Sequence, residues 1–288
     1  MTTMPSEEGG AAQAPRAPAT TAAPAMVEDE AAVMEQVAPA IGGITNPTRI
    51  EPQVLVPLVL EPAPEEPVRV RMARLDLPPG GAWRPSARPC EDTLVLVREG
   101  ELRAVGSGIA PPEAPGTLYA GDAVRFGPEG DGLVQNLADR RARTVVAFVR
   151  PDEGQPCPEP SRPDPLVAPN RLASVRSTPP SGEGSLRVRI LLDADGAGAR
   201  HGGLSVLEAD PGLRMPQHRH AEAAEILFVE RGWGVLRIGD RAIRVRPDAA
   251  IYIPAGALHS YEDGGTEPFV AIQVFTPSGP EQRYREGT

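Results

Sequence analysis

Four side chains could do chemistry together: His218, His220, Glu225 and His259. His218 and His220 are two residues apart. On a strand such positions share a face, while Arg219 points to the other. Glu225 opens the apolar run Ile226–Val229, which reads as the next strand, so its carboxylate can come back beside the imidazoles. His259 follows Pro254-Ala-Gly256, a turn signal after the strand Ala250–Ile253. Three imidazoles and one carboxylate suit Fe, Mn, Zn, Ni or Co, whereas Ca and Mg prefer all-oxygen sites. A lone histidine is more often a surface or satisfied core residue. Here three of the chain's 4 histidines lie in one pattern with a carboxylate in place. One divalent transition metal is therefore the expected cofactor.

The elements that must position these ligands lie between Gly212 and Asp263. The spacing reads G-x5-H-x-H-x4-E-x6-G from Gly212 to Gly232, then P-x-G-x-x-H from Pro254 to His259. This resembles the two sequence motifs of the cupin superfamily. The first motif matches throughout. In the second, Asp248 stands where the family usually has Gly and Asp263 where it often has Asn; neither is a family metal ligand. The resemblance covers residues 185–280 well and the rest weakly. It implies a metal held by the three histidines and Glu225, with open positions for water or substrate. It also implies a range of chemistries, from oxidative cleavage to isomerisation and decarboxylation.

An internal repeat extends the pattern. Laid without gaps, Gly80 falls on Gly212, Ser86 on His218, Arg88 on His220, Thr93 on Glu225 and Gly100 on Gly232. The strand Leu94–Val97 falls on Ile226–Val229, and Gly121–Phe126 echoes Asp248–Ile253. Leu133 stands in for His259 when Pro128 is laid on Pro254. The first half thus reads as a barrel lacking all four ligands. Ser86, Arg88 and Thr93 could bind an anion in the vacated pocket, but a barrel kept for packing is the simpler reading. Short strands, regular turns and two similar halves give an all-β fold: two double-stranded β-helix (jelly-roll, cupin) barrels with a disordered N-terminal tail. The expected boundaries are a tail over 1–50, the ligand-free barrel over 51–150, a Pro-rich linker over 151–184 and the metal-binding barrel over 185–288. Val54–Leu60 reads as an edge strand, Arg171–Arg176 as a short element packing along a barrel, and Thr276–Tyr284 as an irregular arm. His201 reads as an exposed loop residue.

Composition narrows the function classes. A net charge of -10 argues against nucleic acid and anionic membrane surfaces as partners. No Lys occurs, which excludes Schiff-base chemistry. Cys90 and Cys157 form no metal spacing and no disulfide framework; they could pair, but so sparse a count fits a reducing, cytoplasmic setting better. No run of apolar residues is long enough for a membrane span. The expected partner is a small-molecule substrate, with a homodimer as a further expectation. Glu222 and Tyr261 are the candidate acid/base residues, and Tyr252 and Gln273 could line the cavity. The favoured function is a metal-dependent enzyme of dioxygenase type. The competing readings are a metal-dependent isomerase or decarboxylase, and a non-catalytic binding or sensory module. A cavity without a polar acid or base near the ligands would favour oxygen chemistry or plain binding.

Overall fold

The computed structural model describes residues 70–85, 90–106, 116–128, 132–151, 171–182, 184–199 and 201–286. The expected tail over 1–50, the strand at 54–60 and the positions of Ser86 and Arg88 lie outside them. The first half contains β1 (Val70–Leu77), β2 (Ala82–Trp83), β3 (Asp92–Glu99), β4 (Glu101–Val105), β5 (Gly116–Tyr119), β6 (Asp122–Phe126), β7 (Leu133–Gln135), β8 (Ala142–Val149) and β9 (Arg171–Ser174). The second contains β10 (Leu186–Leu192), β11 (Gly203–Ala209), β12 (Arg214–His218), β13 (Ala224–Arg231), β14 (Gly234–Ile238), β15 (Arg241–Val245), β16 (Ala250–Ile253), β17 (His259–Asp263) and β18 (Phe269–Thr276). Each half folds its strands into a five-stranded sheet facing a four-stranded one. The orders are β1-β8-β3-β6-β9 over β2-β7-β4-β5, and β10-β11-β18-β13-β16 over β12-β17-β14-β15. These are two cupin-type jelly rolls. The stretch expected as linker contributes β9, which pairs antiparallel with β6 and extends the first barrel's sheet.

Strand register carries the internal repeat into three dimensions. Thr93 pairs with Phe126 and Phe148, and Glu225 pairs with Ile253 and Phe275. Both central strands slip register near their ends, between Val97 and Glu99 and between Val229 and Arg231. Each is followed by a left-handed glycine, Gly100 at φ 81° and Gly232 at φ 79°. The second motif needs a correction. Ile238 pairs with His259 and Val105 with Leu133. Counting from Gly100 and Gly232, Gly132 and not Leu133 occupies the place of His259. A Cβ on Gly132 would meet Cδ1 of Phe126 at 1.9 Å. The buried Phe126 ring thus fills the space that an imidazole would need.

The two five-stranded sheets pack on each other. In β13, Leu227 and Val229 pack in the second barrel's own core, while Ile226 and Phe228 join a cluster with Val70, Met72, Leu94 and Leu96 of the first barrel. A sheet buried on both faces has no polar side to alternate with, which is why Ile226–Val229 reads as a continuous apolar run. Tyr252, considered for the cavity, belongs to this inter-barrel cluster instead, because β16 turns Ile251 and Ile253 inward. His201 is also not a free loop residue: it is half-buried and its backbone N–H bonds Asp92 of the first barrel.

Asp248 explains its departure from the family's usual glycine. It sits at φ 65°, a conformation Asp tolerates better than most residues. Its carboxylate lies 3.1 Å from Arg74 and 3.6 Å from Arg98 of the first barrel. Asp248 is 60% exposed, so these ion pairs contribute about 1 kcal/mol at most. The apolar contact dominates the union of the barrels: burying each large side chain contributes ~1.5–3 kcal/mol. Cys90 is disulfide-bonded; its partner lies outside the described residues. Among the described residues no helix is long and apolar enough to cross a membrane.

This shared face predicts that the second barrel does not behave alone. A fragment beginning at Ser185 exposes Ile226, Phe228, Tyr252, Ile272 and Val274 and should self-associate on size exclusion with light scattering. A monodisperse monomer would show that the barrels are independent.

Candidate metal centre

The second barrel brings all four expected ligands together. His218 ends β12 and pairs with His259 at the start of β17. His220 follows two residues later, and its carbonyl accepts the N–H of Gly256 at 2.7 Å, which ties the Pro254–Gly256 turn to the first motif. Glu225 is the second residue of β13, with its side chain in the barrel interior. The coordinating atoms of His218, His220 and His259 all lie within 4.8 Å of one another. Glu225 Oε2 is 3.3 Å from His220 Nε2 and 3.7 Å from His259 Nε2.

Local hydrogen bonds aim these groups. Nδ1 of His218 lies 2.9 Å from the carbonyl of Pro216, and Nδ1 of His259 lies 2.9 Å from that of Ala257. With the proton on Nδ1 donating to a carbonyl, the Nε2 lone pair of each ring is left for a metal. Glu225 Oε1 accepts from Gln273 Nε2 at 2.6 Å, and Gln273 Oε1 accepts from Ser205 Oγ at 3.0 Å. Gln273, expected only as a cavity residue, thus orients the carboxylate. His220 Nε2 is buried and, despite its nearness to Glu225, has no aligned hydrogen-bond partner. An orphaned imidazole nitrogen in a dry interior is costly. An ion between it and Glu225 would satisfy both groups, so the residues present fit a transition metal.

Burial pushes the pKa of His218 down, assisted by His259, Arg283 and His220. Burial likewise depresses His259. Burial alone would raise Glu225, but His220 and then Gln273 outweigh it and bring the carboxyl below its usual range. Neutral imidazoles beside an ionised carboxylate are the protonation states that metal binding requires.

His218, Glu225 and His259 open on a small cavity of about 50 Å³, lined among others by Leu213, Met215, Leu227, Leu236, Phe269 and Tyr261. Tyr261 lies where expected, donating to Asp263 at 3.3 Å. Burial and the Asp263 charge push its phenol well above the ordinary range. Asp263, the second departure from the family pattern, also accepts the N–H of Gly212 at 2.8 Å and so closes the turn that precedes β12. Glu222 is exposed on the loop before β13 and is not among the cavity-lining side chains. Two residues that sequence reasoning missed do line the cavity: Arg283 and Tyr284, from the C-terminal segment. The expected irregular arm is in fact a 3-10 turn, Pro280–Gln282, leading into a helical turn, Arg283–Glu286.

A family model described as a cupin domain matches residues 205–275. The second barrel is a cupin domain. A curated relative, the tetracenomycin polyketide synthase protein TcmJ of Streptomyces glaucescens, is 27% identical over 114 residues, covering 40% of this chain and 76% of that protein. Among solved structures, oxalate decarboxylase of Lactobacillus farciminis in its formate complex superposes with a TM-score of 0.59 at 17% identity, covering 73% of this chain and 78% of that one. Oxalate decarboxylase of Bacillus subtilis, studied for its Mn(II) centres, gives 0.58 at 15% identity, covering 73% and 70%. At such identities the likeness is one of fold, and it spans both barrels.

The depressed histidines predict an acid-sensitive site. Because His218 and His259 have folded pKa values below the unfolded value of about 6.5, the unfolded chain takes up protons first. Their contribution to stability is complete above about pH 6.5 and disappears as pH falls through the depressed folded values. In metal-free protein, the thermal midpoint should drop more between pH 7 and 5 than in the double variant H218Q/H259Q. Equal drops in the two proteins would contradict the assignment.

Proposed function

We propose that the second barrel holds one divalent transition metal through His218, His220, Glu225 and His259, and that the chain is an oxidoreductase of dioxygenase type acting on a small organic molecule. The observation that carries this reading is the buried Nε2 of His220, 3.3 Å from Glu225 but out of hydrogen-bond alignment with it, beside a cavity lined by His218, Glu225 and His259 together with Leu213, Met215, Leu227 and Leu236. An iron-type ion held by such ligands would supply open positions for substrate and dioxygen.

The chain's own residues do the remaining work. Gln273 keeps the Glu225 carboxylate turned toward the imidazoles. Leu213, Met215, Leu236 and Phe269 exclude water and receive an apolar substrate body. Tyr261 keeps its proton and offers at most a fixed hydrogen bond. With Glu222 outside the cavity, no side chain among the described residues that line it is well placed to shuttle protons near neutral pH. That favours oxygen chemistry over an isomerase or decarboxylase, both of which move protons at the substrate.

The small volume also supports a second reading, a non-catalytic module that binds a compact ligand. A bulky ligand does not fit a cavity of about 50 Å³ unless the C-terminal segment moves. Mn is a further candidate ion, given the Mn(II) centres named for the B. subtilis decarboxylase.

Elemental analysis of untagged protein should find about one transition metal per chain, and H220A should lose most of it. Oxygen uptake with a panel of phenols and diketones then separates the readings. Uptake that depends on metal and is abolished in H220A supports the oxidoreductase. Saturable binding without uptake supports the module. A stoichiometry near two, or an unchanged metal content in H220A, would contradict the site.

A further inference from the structure

The C-terminal segment is built as a wall of the metal cavity. Glu281 is fully buried and accepts from Ser278 Oγ at 2.6 Å and from the N–H of Gly279 at 2.9 Å. It lies against Gly203, where a Cβ would meet Glu281 Oε1 at 2.5 Å, so the glycine permits the docking. Asp193, which also accepts the N–H of Gly196, takes hydrogen bonds from Gln282 Nε2 at 2.9 Å and Arg285 Nη1 at 2.5 Å. Residues on both sides of Arg283 and Tyr284 are therefore tied to the barrel, and those two side chains are left to line the cavity.

Arg283 is the only guanidinium among the lining side chains. It donates to Tyr284 Oη at 2.7 Å and lies 4.7 Å from that ring's centre. Among the described residues it forms no ion pair. Its charge is close enough to act on both His218 and His259. With a divalent ion bound, this cavity holds three positive charges against the single negative charge of Glu225. Such an excess in a low-dielectric space is costly unless an anion enters. A guanidinium also presents paired donors in the geometry of a carboxylate.

We propose that Arg283 is the specificity-determining residue of the second barrel, gripping the carboxylate of a small monocarboxylic acid whose apolar body lies against Leu213, Met215 and Phe269. This rests on the reading of the cavity as a substrate site. The carboxylate faces the tail, Tyr284 holds the guanidinium in place, and the hydrocarbon end fills the aliphatic side. The small cavity limits the acid to a short chain.

The test is isothermal titration of the metal-containing full chain with propionate and with its neutral isostere propionamide, in the wild type, R283Q and R283K. The wild type should bind propionate about tenfold or more tightly than propionamide, as expected of a charge-assisted pair. R283Q should lose most of that preference and R283K should keep part of it, with metal content equal in all three. A preference that survives in R283Q, or is absent in the wild type, overturns the assignment. Protein that carries no metal but keeps an Arg283-dependent preference for propionate sinks the metal reading and supports this one. Metal present without the preference does the reverse.

Discussion

The structure of the second barrel depends on one unfinished interaction: a buried imidazole nitrogen and a buried carboxylate that approach each other out of hydrogen-bond alignment. His220 Nε2 and Glu225 Oε2 stand 3.3 Å apart, both buried in the barrel interior. Everything around them holds this geometry in place. Gln273 and Ser205 take up the other carboxylate oxygen. Backbone carbonyls of Pro216 and Ala257 turn the two neighbouring rings. The bond from Gly256 to the His220 carbonyl joins the two motifs. Buried polar groups arranged so tightly and left incomplete create a demand that a cation would meet.

The first barrel shows the same scaffold with that demand removed. Thr93 replaces Glu225 in identical register, Gly132 replaces His259, and Phe126 fills the space between. What remains is a closed apolar core whose outer face buries the site-bearing sheet of its partner. The β13 strand therefore has two duties. Its inward positions carry Glu225 and the cavity wall, and its outward positions, Ile226 and Phe228, carry the contact between barrels. Packing energy on one face thereby stiffens the ligand on the other.

Most of the geometry of the candidate metal centre was legible in the sequence because it depends on local spacing: i and i+2 on a strand, a carboxylate at a strand start, a turn before the third histidine. The repeat was legible for the same reason, up to the one-residue slip at Leu133, where the echo rested on matching prolines and not on strand pairing. Tyr252 was misplaced because alternate positions of β16 face different cores, and a strand apolar on both faces carries no alternation to decide between them. Arg283 and Tyr284 were invisible because their role comes from a long-range clasp. Asp193 lies far from Gln282 and Arg285 in sequence, and Pro-Ser-Gly-Pro reads locally as a loose end. Glu222 was favoured for its place beside the ligands in sequence, yet its loop turns it to solvent.

The measurement closest to the central claim is X-ray absorption at the edge of whatever metal co-purifies with the full chain. The account predicts a coordination sphere of imidazole nitrogens from three histidines and a carboxylate oxygen at about 2.0–2.2 Å, with the remaining positions filled by light oxygen ligands. In H259A the same spectrum should show fewer imidazoles. A sphere built from sulfur, or one of water oxygens with no imidazole scattering, would contradict it.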